Sequence, residues 1–326
     1  MATNRRKVMV PNTMGQEGVA LLRARDDIET VVYPPTIGQA ELLAMLEDCA
    51  GIALSLTPFS QSEMDASPAI QVVARIGVGY DAVDVPVLTA RRVPLMVAGT
   101  ANSVSVAEQA FHLMMALAKR NVALDRMVRE GRWRERHGGL PMELSGKTVL
   151  IVGFGRIGTR LAKRCLGFDM VVLVRDPYVD AAAIRAAGCE PVADLDAVLP
   201  RADFVSIHCP KNAATVGMFS APQFARMKPS AYIVNTARGG IVDELALHAA
   251  LASGQIAAAG LDVWEAEPTP ADNPLLRLDN VIASPHMAGV TTEAVAGMAR
   301  VTAQNILGVL DGAPNRDNVV NKEVLD

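Results

Sequence analysis

Two sets of residues in this chain have the types and the spacing that chemistry requires. The first is Gly153, Gly155 and Gly158, at GxGxxG spacing, with Asp176 about twenty residues further on. The first glycine permits a tight turn, the second lets backbone approach a pyrophosphate, and the third lets a helix pack against a strand. A helix that starts there offers free N–H groups and the positive end of its dipole to phosphates. An acid at Asp176 is placed to hold a ribose hydroxyl pair and repels a 2′-phosphate, so NAD is expected ahead of NADP. Arg175 beside it tempers that preference. A glycine-rich turn of purely structural origin is the competing reading of the three glycines alone. A strand, a helix, a second strand and the acid in that order favour a dinucleotide.

The second set is Arg238 in NTARGG, Glu267 in LDVWEAEP and His286 after Ser284-Pro285. A guanidinium forks two hydrogen bonds to a carboxylate, which an ammonium does not match. Histidine is the side chain best able to exchange a proton near neutral pH, and a neighbouring carboxylate stabilises its imidazolium and fixes the ring. Together the three make an acid/base pair and a substrate clamp. Singly, each also fits a structural role: Arg238 paired with a surface acid, Glu267 solvated, His286 capping a helix.

These residues need elements to position them, and the hydrophobic pattern supplies an α/β chain. Short apolar runs at Lys7 to Val10, Ile28 to Tyr33, Ile52 to Leu56 and Val72 to Ile76 read as strands, alternating with helices at Gly15 to Arg25 and Ile37 to Cys49. Past the last of these strands, Gly77 and Gly79 bracket Val78, where backbone N–H groups can face a ligand. Ser103 to Asn121 reads as a buried helix, with Ser105 and Glu108 as a capping box and His112 as a structural histidine. Asn121 to Pro141 is charged and glycine-punctuated, either a solvated segment or a subunit-contacting arm with Trp133 as its anchor. The apolar run Val149 to Val152 reads as a strand buried on both faces. Strands follow at Met170 to Val174, Phe204 to His208, Tyr232 to Asn235, Gly260 to Val263 and Val281 to Ala283, and Met287 to Leu310 as one long helix. Two doubly wound parallel-sheet units result.

Composition narrows the partners. The 326 residues suffice for two cores, and half of them are apolar. A net charge of −4 gives no footprint for nucleic acid or an anionic membrane, so a small molecule is the expected ligand. Cys49, Cys165, Cys189 and Cys209 are scattered without CxxC pairs or histidine clusters, which points to reduced thiols and no metal site. No apolar run reaches the roughly eighteen residues of a membrane span, and the N-terminus lacks a signal-peptide core. A cytoplasmic enzyme is expected.

The motifs RIGVGYDAVD, SVAEQ, GRW, GFGRIG, DPY, HCP, NTARGGIVDE, LDVWEAEP, SPHMAG and NVVN, in this order, resemble the D-isomer-specific 2-hydroxyacid dehydrogenase family over almost the whole chain. The resemblance implies a Rossmann domain at 102–286 inserted into a smaller flavodoxin-like substrate domain, whose first part is 1–101 and to which 287–326 returns, and an NAD-dependent hydride transfer between a D-2-hydroxy acid and its 2-oxo acid. It implies that Arg238 orients the substrate carboxylate, that His286 gives or takes the proton, and that Glu267 is the partner of His286. For the cofactor it implies Arg156 and Ile157 on the pyrophosphate and Asp176 on the adenosine ribose. Cys209, Pro210 and Thr215 fall on the adenine side, with Thr236, Ala237, Arg238, Asp262 and the turn from His286 to Gly289 near the nicotinamide. Val78 and Gly79 match a backbone cradle for the carboxylate, with Ser55 nearby.

One stretch departs from the pattern. Where family members often carry Arg-Ser-x-Thr, this chain has Leu54-Ser55-Leu56-Thr57, which removes one cation and disfavours a phosphorylated substrate such as phosphoglycerate. Formate dehydrogenase, on the same fold, is disfavoured because it pairs its histidine with glutamine. A redox-sensing interaction protein on the same scaffold retains the triad and stays open. The apolar helix and the arm after it suggest a two-fold homodimer.

Overall fold

A computed structural model describes residues 5–326, which form two compact units. The first runs to Asn102 and resumes at Val290–Asp326; the second is Ser103–Gly289.

The first unit is built on strands β1 (Arg6–Pro11), β2 (Ile28–Tyr33), β3 (Cys49–Leu54), β4 (Val72–Arg75) and β5 (Leu95–Met96). They form one parallel sheet in the order β2-β1-β3-β4-β5, the flavodoxin-like winding. Central β3 is CAGIAL, every residue buried, because helices cover both faces and leave no polar side. One cover is the C-terminal helix Thr292–Leu310, capped by the Thr291 hydroxyl accepting from the Ala294 N–H. It packs so tightly on helix Gln16–Arg23 that a Cβ on Gly18 would lie 2.3 Å from the Ala299 carbonyl oxygen. The closing NVVN staples the tail to the β5 edge: Asn321 accepts from the Leu95 N–H at 2.8 Å and donates to the Val93 carbonyl at 3.0 Å. Asn318 donates to Asn305, which in turn donates to the Val97 carbonyl.

The second unit holds β6 (Thr148–Val152), β7 (Val171–Arg175), β8 (Glu190–Pro191), β9 (Phe204–Ile207), β10 (Tyr232–Asn235), β11 (Ala258–Leu261) and β12 (Val281–Ala283). Its sheet is also all parallel, in the order β12-β11-β10-β9-β6-β7-β8. Strand order reverses between β6 and β9, so the connections after these two strands diverge to opposite faces and leave a crevice at their carboxyl ends. That is the Rossmann arrangement, with the insertion into the flavodoxin-like unit that the resemblance implies.

Several local expectations need correction. The third strand lies at Cys49–Leu54, so Leu56 falls outside it and is 80% exposed. The helix begins at Ser103 as expected and ends at Ala118, which places Ser105, the expected cap, inside the first turn and buries it. Glu108 pairs with Arg164 at 2.6 Å in place of a capping box. His112 faces solvent on that helix. Asn121–Arg129 is helical, and Trp133 beyond it is 60% exposed with the Arg136 guanidinium over its ring. The long C-terminal helix starts at Thr292, after an irregular turn from His286 to Val290.

Candidate active site

The dinucleotide fingerprint opens at the end of β6. Gly153 has φ +98, and a Cβ there would sit 2.6 Å from the His208 carbonyl carbon, so the turns after β6 and β9 touch at the crevice. Gly158 opens helix Gly158–Leu166, where a Cβ would lie 2.0 Å from the Gly153 carbonyl oxygen. Both glycines are thus explained by the protein's own backbone. Gly155 is not, since a Cβ there meets nothing within 4 Å. Its missing side chain leaves open space in front of the turn, as a backbone approach to an external pyrophosphate requires. Arg156 and Ile157 follow on the same turn, before the helix.

Asp176 follows β7 and is tied to this turn. One carboxylate oxygen accepts the Phe154 N–H at 2.7 Å and the other the Tyr178 N–H at 2.9 Å. Each oxygen keeps a second lone pair, enough for a diol. Cys209 and Pro210 follow β9, and burial together with the nearby Asp176 charge pushes the Cys209 thiol up to about 11. It therefore presents an apolar surface. Thr215 is on the loop after β9, where its hydroxyl donates to the Pro210 carbonyl at 2.7 Å and accepts the Asn212 N–H at 2.8 Å. It closes its own loop. Beside it on the sheet edge, the Thr236 hydroxyl and the His208 Nδ1 are buried without a partner among the described residues. Two orphaned polar atoms and the space beside Gly155 fit a polar ligand at the carboxyl edge of this sheet.

The histidine–glutamate pair is assembled beyond the ends of β11 and β12. His286 Nδ1 stands 2.7 Å from Glu267 Oε2, and Glu267 Oε1 accepts the Trp264 N–H at 3.0 Å. The carboxylate is therefore held from the backbone on one side while it meets the imidazole on the other. His286 adopts φ +55, uncommon for a residue with a side chain, and Asp262 holds it there. The buried Asp262 carboxylate accepts the Met287 N–H at 2.9 Å and the Ala288 N–H at 2.7 Å, as well as the Ser284 hydroxyl. Asp262 thus supports the His286 to Gly289 turn, a role its type and position did not reveal in the sequence.

Arg238 is half-buried in the loop after β10, where Asn235 accepts the Ala237 N–H at 3.0 Å and donates to the Arg238 carbonyl at 2.9 Å. Gly239, next in line, presses on the Glu267 loop: a Cβ there would fall 1.7 Å from the Trp264 carbonyl oxygen. Only a glycine brings the two loops this close. Glu265 and Glu244 exchange bonds, each carboxylate accepting the other's backbone N–H, and this pins the Glu267 loop to helix Glu244–Ala252. Neither Gly239 nor Glu265 stands out by type; their roles depend on contacts across the loops.

Ser55, Val78 and Gly79 belong to the first unit, on the loops after β3 and β4. Leu54 is fully buried in the core of that unit beside Tyr33 and Phe59. Its replacement of an arginine therefore reports on the core, and the argument against phosphorylated substrates loses that support. Among the described residues, no cluster of three histidine, cysteine or carboxylate side chains is placed to hold a metal ion, and no helix is long and apolar enough to cross a membrane.

Comparison with known proteins agrees with this geometry. Residues 111–288 match the profile of the D-isomer specific 2-hydroxyacid dehydrogenase NAD binding domain. The glyoxylate reductase of Korarchaeum cryptofilum is 36% identical over 98% of this chain and 97% of its own length. The D-3-phosphoglycerate dehydrogenase of Archaeoglobus fulgidus is 37% identical over 97% of this chain, which spans 59% of that protein. A D-lactate dehydrogenase from Aquifex aeolicus, solved with NAD and lactic acid, superposes with a TM-score of 0.85 at 26% identity, covering 96% of this chain and 99% of that one. With the fingerprint glycines, the histidine–glutamate contact and relatives matched along nearly the full chain, the protein belongs to the D-isomer-specific 2-hydroxyacid dehydrogenase family.

Proposed function

We propose that this protein is an NAD-dependent dehydrogenase that interconverts a small D-2-hydroxy acid and its 2-oxo acid. The observation that carries this reading is the 2.7 Å contact between His286 Nδ1 and Glu267 Oε2 beside the Arg238 loop. A carboxylate only accepts, so Nδ1 carries the hydrogen toward Glu267 and Nε2 is the atom free to exchange a proton. In reduction, His286 Nε2 gives its proton to the substrate carbonyl oxygen; in oxidation it takes the proton from the hydroxyl. Arg238 forks the substrate carboxylate and fixes the reacting carbon. In the first unit, the Val78 and Gly79 amides and the Ser55 hydroxyl are groups able to hold a carboxylate. The bound nicotinamide supplies or accepts the hydride. Gly153, Gly155, Arg156, Ile157 and Gly158 take the pyrophosphate and Asp176 the ribose, which favours NAD over NADP.

Glyoxylate and hydroxypyruvate lead the substrates, and a phosphorylated 2-oxo acid stays among them because Leu54 is fully buried in the core of the first unit. Segment 121–141 is the proposed contact of a two-fold homodimer, supported by exposed Val122, Val128 and Trp133 and by an adjoining cavity of about 680 Å³. A cytoplasmic location is supported by four cysteines with no disulfide between them.

The test is NADH and NADPH consumption against glyoxylate, hydroxypyruvate, pyruvate and 3-phosphohydroxypyruvate, with His286→Ala as the control. Turnover with NADH that the control abolishes, while NADH binding persists, supports the reading. NADH binding with no turnover of any acid would favour the sensing protein instead.

A further inference from the structure

We infer that Arg75 is a positioning residue that turns the backbone amides of the Ser55 and Val78–Gly79 loops outward to receive a substrate carboxylate. This rests on the proposed dehydrogenase reading and adds to it a group outside the Arg238, Glu267 and His286 set. Arg75 is the last residue of β4 and half-buried. One terminal nitrogen donates to the carbonyls of Leu54 at 2.9 Å, Ile76 at 3.3 Å and Ser55, and its Nε donates to the Gly79 carbonyl at 2.6 Å. A single guanidinium thus ties the loop after β3 to the loop after β4.

The consequence follows from peptide geometry. In a planar trans peptide the C=O and N–H point in opposite directions. Drawing in the Ser55 and Gly79 carbonyls therefore turns the Leu56 and Tyr80 N–H groups away from the guanidinium. The N–H groups of Leu56, Val78, Gly79 and Tyr80 donate to no acceptor among the described residues. Gly77 at φ +126 makes the bend that starts this loop possible. Successive unpaired amides in such a turn make an anion-binding concavity, and a cation behind them adds to its positive potential. Lysine has the charge but not the fork, so its one ammonium cannot make the terminal-nitrogen contacts and the separate Nε bond to the Gly79 carbonyl together.

The experiment uses the full chain with Arg75→Lys and Arg75→Gln. Steady-state kinetics with NADH and the best 2-oxo acid are run alongside hydrogen exchange of the peptides covering 55–57 and 76–81. A KM for the acid raised about tenfold or more is expected, corresponding to the loss of charge-assisted hydrogen bonds, with kcat and NADH affinity within about twofold. Exchange should quicken in these two loops and nowhere else in the first unit. An unchanged KM or unchanged loop exchange overturns the assignment, as does faster exchange across the whole unit or failure of both variants to fold. If the wild-type chain reduces no 2-oxo acid, the functional reading falls on its own, and the exchange data still decide whether Arg75 pins the loops.

Discussion

Asp262 holds His286 through both its main chain and its side chain. The Asp262 carbonyl accepts the His286 N–H at 2.7 Å, while its carboxylate accepts the next two N–H groups along the turn. An asparagine has one acceptor oxygen where three donors converge, and its amide hydrogens would face an N–H. Asp262→Asn should therefore lower stability by about 2 kcal/mol through unsatisfied buried groups. It should also lower kcat by about tenfold to a hundredfold, because a left-handed His286 no longer held at φ +55 drifts from the proton-transfer position. Thermal unfolding and turnover of the best 2-oxo acid measure the two effects. A variant that loses stability but keeps full kcat would show that the turn does not depend on Asp262.

Gly239 lies in a turn, pressed between the Arg238 loop and the Glu267 loop. With its imagined Cβ 1.7 Å from the Trp264 carbonyl oxygen, Gly239→Ala must separate the Arg238 loop from the loop that orients Glu267. The overpacking should cost about 3 kcal/mol. KM for the 2-oxo acid should rise as Arg238 is displaced, with NADH affinity changed less. Equal stability and kinetics in variant and wild type would mean the contact relaxes freely.

The fingerprint glycines separate by their neighbours. Gly155→Ala places a methyl in open space, so the fold should survive while NADH affinity drops about tenfold, one displaced backbone hydrogen bond. Gly158→Ala drives a methyl to 2.0 Å from the Gly153 carbonyl and should destabilise by about 3 kcal/mol even without cofactor. Calorimetric NADH titration beside chemical unfolding distinguishes them. Tight NADH binding by Gly155→Ala would place the pyrophosphate elsewhere.

What the sequence could reveal depended on whether a residue's role is local. The alternation of short apolar runs with helices, the glycine spacing and Asp176 state the Rossmann unit because steric needs at a strand-to-helix turn are written within a few residues. His286 and Glu267 were legible as chemistry by type, and their contact agrees with that reading. Asp262 was not legible as the support of His286, since it follows a different strand and its partners are backbone groups 25 and 26 residues away. Leu54 misled because a side chain's direction at a strand end depends on where the strand stops, and β3 ends two residues before exposed Leu56. In the sequence Arg75 stands only at the head of a glycine motif. Four of its acceptors are carbonyls, which no residue type announces.

His208 ties the crevice to acid stability. Its Nε2 meets the buried Ser206 hydroxyl at 2.8 Å, its Nδ1 has no partner among the described residues, and burial pushes its pKa down to about 3. In an unfolded chain the same ring titrates near its ordinary value of about 6.5. Between those values the unfolded state binds a proton that the folded state refuses. Stability from this group is complete above about pH 6.5 and is lost as pH falls toward 3, with a slope of up to about 1.4 kcal/mol per pH unit. His208→Gln removes the titration, so the difference in unfolding free energy between wild type and variant should shrink steadily from pH 7 to pH 4. Carboxylates shared by both proteins, Asp27 and Asp311 among them, cancel in that difference. Denaturant unfolding at half-unit pH intervals measures it, and a difference independent of pH would mean the His208 ring takes up a proton in the folded state.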